Sequence, residues 1–304
     1  MKITKGKRST AKRVVIHGVE GIGKSTLASQ FPKPLVLDTE DGTNHLDVDR
    51  VTITSYLEAE GTLHELARDS QGYQTVVIDS GDWLERLLIE NLLSKAQKRS
   101  IEDFGFGKGY TMVAEAIGRF LTVCDSLVER GINVVIVCHT TVKRCSPPDM
   151  DEGYDRFELK LTKQSGPLVK EWADCILFAN YKTRLVAGED GRTRAKGGKE
   201  RVLHTERTAA FDAKNRYGLP PELPMTIEGL APLFADVPAP ASTPKPKGWR
   251  DRIADCGSVE QLGAVGDAVD SAESAGKLTP EQADTLRSLI GAKHEELSPQ
   301  EAPA

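Results

Sequence analysis

The chain has 304 residues, 39% of them hydrophobic, with 40 Lys and Arg against 45 Asp and Glu. That length carries one large α/β domain with something small beside it, and that composition is ordinary for a globular protein. No run approaches the ~18 apolar residues of a membrane span, and the basic N-terminus leads into no signal-like apolar stretch, so a cytoplasmic location is expected.

The net charge of −5 is unevenly spread. From Trp249 onward there are five basic and eleven acidic residues, leaving 35 basic against 34 acidic in the rest. Residues 1–13 hold six basic residues and no acid, and read as a basic tail. Such a distribution is compatible with nucleic acid, which the overall charge alone would argue against. The five cysteines form no CxxC pair and read as reduced, buried thiols.

In chain order, residues 14–16 (VVI) are a short β-branched run ending in a Gly-rich loop, and Lys24 opens a helix continuing to Phe31. Residues 34–38 (PLVLD), 75–79 (TVVID), 133–139 (NVVIVCH) and 175–179 (CILFA) are further apolar runs. Their lack of alternation predicts strands buried on both faces of a mostly parallel sheet. Apolar faces around Trp83–Leu92 and from Val113 to Glu129 predict helices between them, giving a doubly wound α/β core over 14–236. Residues 94–111 and 140–168 break the pattern and read as long functional loops. Residues 237–248 are a Pro/Ala linker. Residues 249–292 form two amphipathic helical patterns, a small acidic helical appendage, and 293–304 read as a disordered tail.

The loop Gly18-Val19-Glu20-Gly21-Ile22-Gly23-Lys24-Ser25 fits GxxxxGK[ST] between a strand and a helix. Its glycines let backbone N–H groups turn toward phosphates. Lys24 would reach the β- and γ-phosphates, Ser25 would hold Mg²⁺, and Thr26 would lie near the α-phosphate. Asp79 ends an apolar strand as a Walker B carboxylate does, orienting Mg²⁺; the plainer role, capping the next helix, could fall to Asp82. Ser80 follows Asp79, so the acid that activates water must come from elsewhere. Glu40, just after the second strand, is the candidate general base, against the reading of a surface carboxylate. His139 ends the fourth strand, where a polar residue can sense the γ-phosphate or simply close a strand. Lys214 and Arg216, at alternate positions near a strand end, either reach a neighbouring subunit's γ-phosphate or are a solvated pair.

Taken with LDTEDG, VVIDSGDWLE, IEDFGFGKGY, VVIVCHT, YDRFELKL, WADCILFA and AKNRYGLP, these residues resemble the RecA-like, core-only ATPases of phages. The group they look most like is the Sak-four-type single-strand annealing proteins, over roughly residues 12–235. The resemblance implies a RecA-like P-loop domain that hydrolyses ATP with Mg²⁺ and catalytic residues Glu40, Lys24, Lys214, Arg216 and His139. It implies ATP between subunits of a homo-oligomeric ring or filament, with Lys214 and Arg216 as fingers, in the cytoplasm of a bacterial host cell. It also implies single-stranded DNA binding and annealing or strand exchange in phage homologous recombination. Lys95, Lys98, Arg99, Lys108, Lys143 and Arg144 would meet phosphates, and Phe104, Phe106 and Tyr110 would stack on bases. A RecA-like helicase, motor or helicase loader, or an ATP-switched adaptor, shares the same site. The acidic C-terminal region could contact a single-strand-binding protein.

Overall fold

A computed structural model describes residue 5 and residues 10–147, 152–187, 193–234, 249–276 and 278–297. It divides into two units, the first ending at Ala241 and the second starting at Ser242.

The first unit runs β1 (Arg13–Gly18), α1 (Lys24–Ala28), β2 (Pro34–Asp38), β3 (Asp49–Thr52), α2 (Tyr56–Arg68), β4 (Thr75–Asp79) and α3 (Gly81–Ala96). It continues with α4 (Lys108–Glu129), β5 (Asn133–Cys145), β6 (Tyr154–Leu159), α5 (Ser165–Trp172), β7 (Cys175–Ala187), β8 (Thr193–His204), β9 (Lys214–Asn215) and β10 (Glu222–Pro224). The strand order is β10-β8-β7-β1-β5-β4-β2-β3. Every pairing from β7 to β3 is parallel, and β8 and β10 close one side antiparallel.

The unalternated apolar runs have a direct structural cause. Successive strand residues point to opposite faces, so Val15, Leu37, Ile78 and Ile136 enter a core under α2, α3, α4 and α5. Val14, Ile16, Val36, Val77 and Val135 enter a second core with Ile22, Leu27 and Phe31 on the α1 side. Both faces are therefore dry. β1 lies between β5 and β7, so the chain leaves it first to one side and later to the other. In such sheets the crevice at the strands' C-terminal ends is where ligands bind.

Two expected loops are largely regular structure. Within 94–111, α3 extends to Ala96, Ile101–Phe104 is a 3-10 turn and α4 begins at Lys108. Within 140–168, β5 runs on past the sheet and pairs with β6 from Thr140↔Leu159 to Cys145↔Tyr154, and α5 follows. The charged residues of 140–168 misled because a hairpin that is only partly buried needs no continuous apolar run. The proposed tail 1–13 also ends early, since Ala11 and Lys12 are buried and Arg13 opens β1.

Among the described residues the second unit has three helices, α6 (Trp249–Ala254), α7 (Val259–Ser274) and α8 (Pro280–Leu297), around Ile253, Leu262, Val265, Val269 and Leu286. The first amphipathic pattern breaks in two because Ser258 caps α7, its hydroxyl accepting from Gln261 N. Thr279 caps α8 the same way through Gln282 N. α8 reaches Leu297, so the tail proposed from residue 293 begins as helix. The linker at 237–248 lies outside the described residues.

Candidate nucleotide-binding site

Three strand ends and the middle of β5 build the site, since β5 runs on to Cys145 and His139 does not end it as expected. Gly18 closes β1 and pairs with His139 on β5; Asp79 closes β4 and pairs with Asp38, the last residue of β2. The loop after Gly18 turns through Gly21 (φ 70) and Gly23 (φ 100), backbone that a side chain would strain. A Cβ on Gly18 would lie 2.2 Å from the Ala179 carbonyl, so only glycine lets β1 pack there.

Lys24 is buried, and its ammonium donates to the Gly18 and Val19 carbonyls, 3.1 Å each. Burial lowers its pKa, while Asp79, Asp82 and Glu40 hold it up. The Ser25 hydroxyl acts on the Asp79 carboxylate and holds its pKa down. Burial pushes Asp79 up to about 6, with Glu40 and Asp38 adding to the rise and Ser25 and Lys24 opposing it. A hydroxyl and a carboxylate are hard oxygen donors of the kind Mg²⁺ takes with phosphate oxygens, so the residues present fit the metal and the phosphates. Val19, Glu20, Ile22 and Thr26 complete the loop, Ile22 buried beneath it and Glu20 and Thr26 exposed.

Glu40 stands beside this pair. Thr39 laces the strand ends together, donating its hydroxyl to the Ser80 carbonyl (2.9 Å) and accepting from Ser80 N (2.8 Å). The Ser80 hydroxyl then donates to Glu40 (3.3 Å). Asp38 anchors the turn by accepting from the Glu40, Gly42 and Thr43 amides. Burial alone would raise the Asp38 pKa, but the bonds from Thr43, Gly42 and Glu40 hold it below the ordinary value.

His139 is tied to Asp82, a residue that sequence reasoning reduced to a helix cap. Its Nδ1 donates to Asp82 Oδ2 (2.9 Å), and its amide donates to Asp82 Oδ1 (2.9 Å). That bond raises the His139 pKa; on Asp82 burial is the largest influence and pushes up, but the His139 ring bond, amide bond and charge together bring the carboxyl below its ordinary value. Ser80, not Asp82, is the N-cap residue of α3. A carboxylate three residues after a Walker B aspartate was the available signal, but its partner lies 57 residues away.

Other site residues separate. Lys214 and Asn215 pair with Ile176 and Cys175 at the start of β7, while Gly18 pairs with Ala179, a difference of about 10 Å along the strand. Lys214 donates to the Lys170 (2.9 Å) and Glu171 (3.0 Å) carbonyls, and Arg216 meets Asp174 at 2.8 Å. Lys95, Lys98, Arg99 and Lys108 are exposed. Phe104 packs against the core, and Tyr110 donates to Glu102. Phe106 is fully exposed at 105%. Lys143 and Arg144 sit on the β5–β6 hairpin, 3.7 Å from Glu158 and Asp155.

A family model described as an AAA domain matches residues 10–217. The chain belongs to the AAA domain family. The match holds every P-loop residue together with Asp79, Glu40 and His139, so this AAA domain is of the P-loop ATPase type. A crystal structure of the flagellar accessory protein FlaH from Methanocaldococcus jannaschii is similar to it at 11% identity and a TM-score of 0.33, covering 68% of this chain and 88% of that one. No curated protein sequence matches the chain. Among the described residues, no helix of the AAA domain or of the C-terminal unit is long and apolar enough to cross a membrane.

The buried Asp79 makes a testable trade between stability and metal binding. Its folded pKa lies above the ordinary 3.8, so the folded state holds this proton more tightly than the unfolded chain does. Its stability is then fullest below about pH 4 and declines as pH rises to about 6, by on the order of 3 kcal/mol. Asp79→Asn is expected to melt above wild type at pH 7.5 and with it near pH 4, while losing the response to Mg²⁺. Calorimetric melts at the two pH values check this; equal melting at pH 7.5 would refute it.

Proposed function

We propose that this P-loop ATPase binds single-stranded DNA under ATP control and promotes strand annealing or exchange in phage homologous recombination. The observation that carries the DNA part is the Gly105-Phe106-Gly107 tip. Its residues have φ of 70, 48 and 73, a backbone that flanking glycines permit, and it lifts one aromatic ring wholly into solvent. Lys98, Arg99 and Lys108 stand exposed close by in the chain. An aromatic ring with cations around it is how sequence-independent single-strand binding is built.

In this reading bound Mg²⁺ supplies charge neutralisation at the phosphates, held by Ser25 and Asp79. Lys24 turns its ammonium from the loop carbonyls to the phosphate oxygens. Glu40, oriented by Ser80, takes a proton from the attacking water. His139, held by Asp82, faces the same crevice. Lys214 and Arg216, at the other edge, serve a neighbouring subunit's nucleotide in an oligomer.

Phe106→Ala is expected to weaken binding of a fluorescent single-stranded oligonucleotide about tenfold with no change in melting, since the ring packs against nothing. Anisotropy at low salt measures it, with annealing of complementary strands followed beside it. Wild-type affinity in the variant would remove the tip from the interface. Unwinding without annealing would assign a motor instead.

A further inference from the structure

Arg201 on β8 stands over the phosphate loop. Leu203 is buried in the same core as Ile22, Leu27 and Ala28, and residues two apart on a strand share a face. Arg201 therefore projects on the side of the sheet where the loop and α1 pack. Its level is set by pairing: Leu203 lies opposite Ala179, itself opposite Gly18, and Arg201 lies opposite Tyr181, just past the edge where β1 becomes the loop. The backbone there is fixed, since the Arg201 carbonyl accepts from Met225 N (3.2 Å) and β10 pairs with the next residues. The side chain is exposed, and its Nη1 lies 2.8 Å from where a Cβ on Gly23 would be. Gly23 precedes Lys24. Among the described residues, no hydrogen bond or ion pair engages the guanidinium.

The electrostatics give that position a use. Lys24 is the buried cation of the site, and it shares the crevice with Asp79, Asp82 and Glu40. A triphosphate adds negative charge that grows on the terminal phosphate during transfer, and a guanidinium binds phosphate oxygens in a fork that a lysine cannot match.

We infer that Arg201 is a phosphate-binding arginine acting within its own chain, moving from Gly23 to the terminal phosphates of a bound nucleoside triphosphate and favouring it over the diphosphate. The inference rests on the reading of the loop as a nucleotide site. It assigns to Arg201 a role distinct from that of Lys214 and Arg216, which need a second chain.

The test is titration of the full chain with fluorescent ADP and a fluorescent non-hydrolysable ATP analogue, both with Mg²⁺. The chains compared are wild type, Arg201→Ala, Arg201→Lys and Lys24→Ala, each with a thermal melt. Arg201→Ala should bind the triphosphate about tenfold more weakly or worse and the diphosphate within about threefold of wild type, with an unchanged melt. Arg201→Lys should fall between. If Arg201→Ala matches wild type on the triphosphate while Lys24→Ala loses it, the role of Arg201 is overturned and the site stands. If Lys24→Ala also matches wild type, the reading of the loop falls and the inference with it.

Discussion

Glu40→Gln is expected to lower kcat for ATP by about 10²–10⁴-fold, the range that a positioned general base contributes, while leaving ATP affinity within about threefold. The geometry makes the substitution selective. Glutamine keeps a carbonyl oxygen for the Ser80 hydroxyl, which now donates to Glu40 at 3.3 Å, so the side chain stays oriented but cannot take a proton. The Thr39–Ser80 lacing and the Asp38-anchored turn are untouched. A second effect separates this from simple damage. Glu40 is one of the charges raising the Asp79 pKa, so removing it should move the pH at which Mg²⁺ binding sets in to a lower value. Steady-state turnover with a parallel Mg²⁺ titration measures both. Turnover within about threefold of wild type would remove Glu40 from the chemistry.

The largest expected loss of stability lies outside the nucleotide site. Asp212 is buried and meets Arg156 and Lys170 through its carboxylate, with Arg207 at 3.7 Å. Arg156 is 3% exposed, and its Nε already lacks a partner. Asp212→Ala strands that guanidinium in a dry interior without its counter-ion, which costs about 3–5 kcal/mol and on the order of 10 °C of melting temperature. Arg156→Met should cost less, because Asp212 keeps Lys170 and Arg207. Chemical denaturation of both variants checks the order; a loss below about 1 kcal/mol in Asp212→Ala would show that the pair is better solvated than its burial indicates. The network also reaches the site. The Asp212 carbonyl accepts from His17 Nε2 (2.9 Å), while His17 Nδ1 lies 2.9 Å from the Thr140 hydroxyl. Burial lowers His17 to about 4, so it stays neutral and serves as a fixed linker between β1, the base of the β5–β6 hairpin and the segment leading to Lys214.

Local chemistry made the site legible to the extent that it is contiguous in the chain. Gly18 to Thr26 carry their meaning in nine successive residues, and Asp79 follows a run of three apolar strand residues. Five of the six parallel strands were equally plain, because burial on both faces removes polar residues from them; the edge strand β3, DRVT, is not buried that way and was missed. β8 was not: TRAKGGKERVLH alternates too irregularly to read as a strand, and it brings Arg201 to the loop through pairing with Tyr181, far back in the chain. Asp82 and His139 meet for the same long-range reason. Phe104, Phe106 and Tyr110 looked alike in sequence, yet only Phe106 stands in solvent. Glycines on either side at positive φ decide that, and Phe104 and Tyr110 find the core and Glu102 instead.

The central claim, that Gly18 to Thr26 with Asp79 hold a magnesium nucleotide, is tested most directly by calorimetric titration of Mg²⁺ and ATP into the full chain beside Lys24→Ala. Saturable binding at one site per chain, weakened about a hundredfold or more when the Lys24 ammonium is removed, is the predicted result. Heats that are the same for wild type and Lys24→Ala would contradict it.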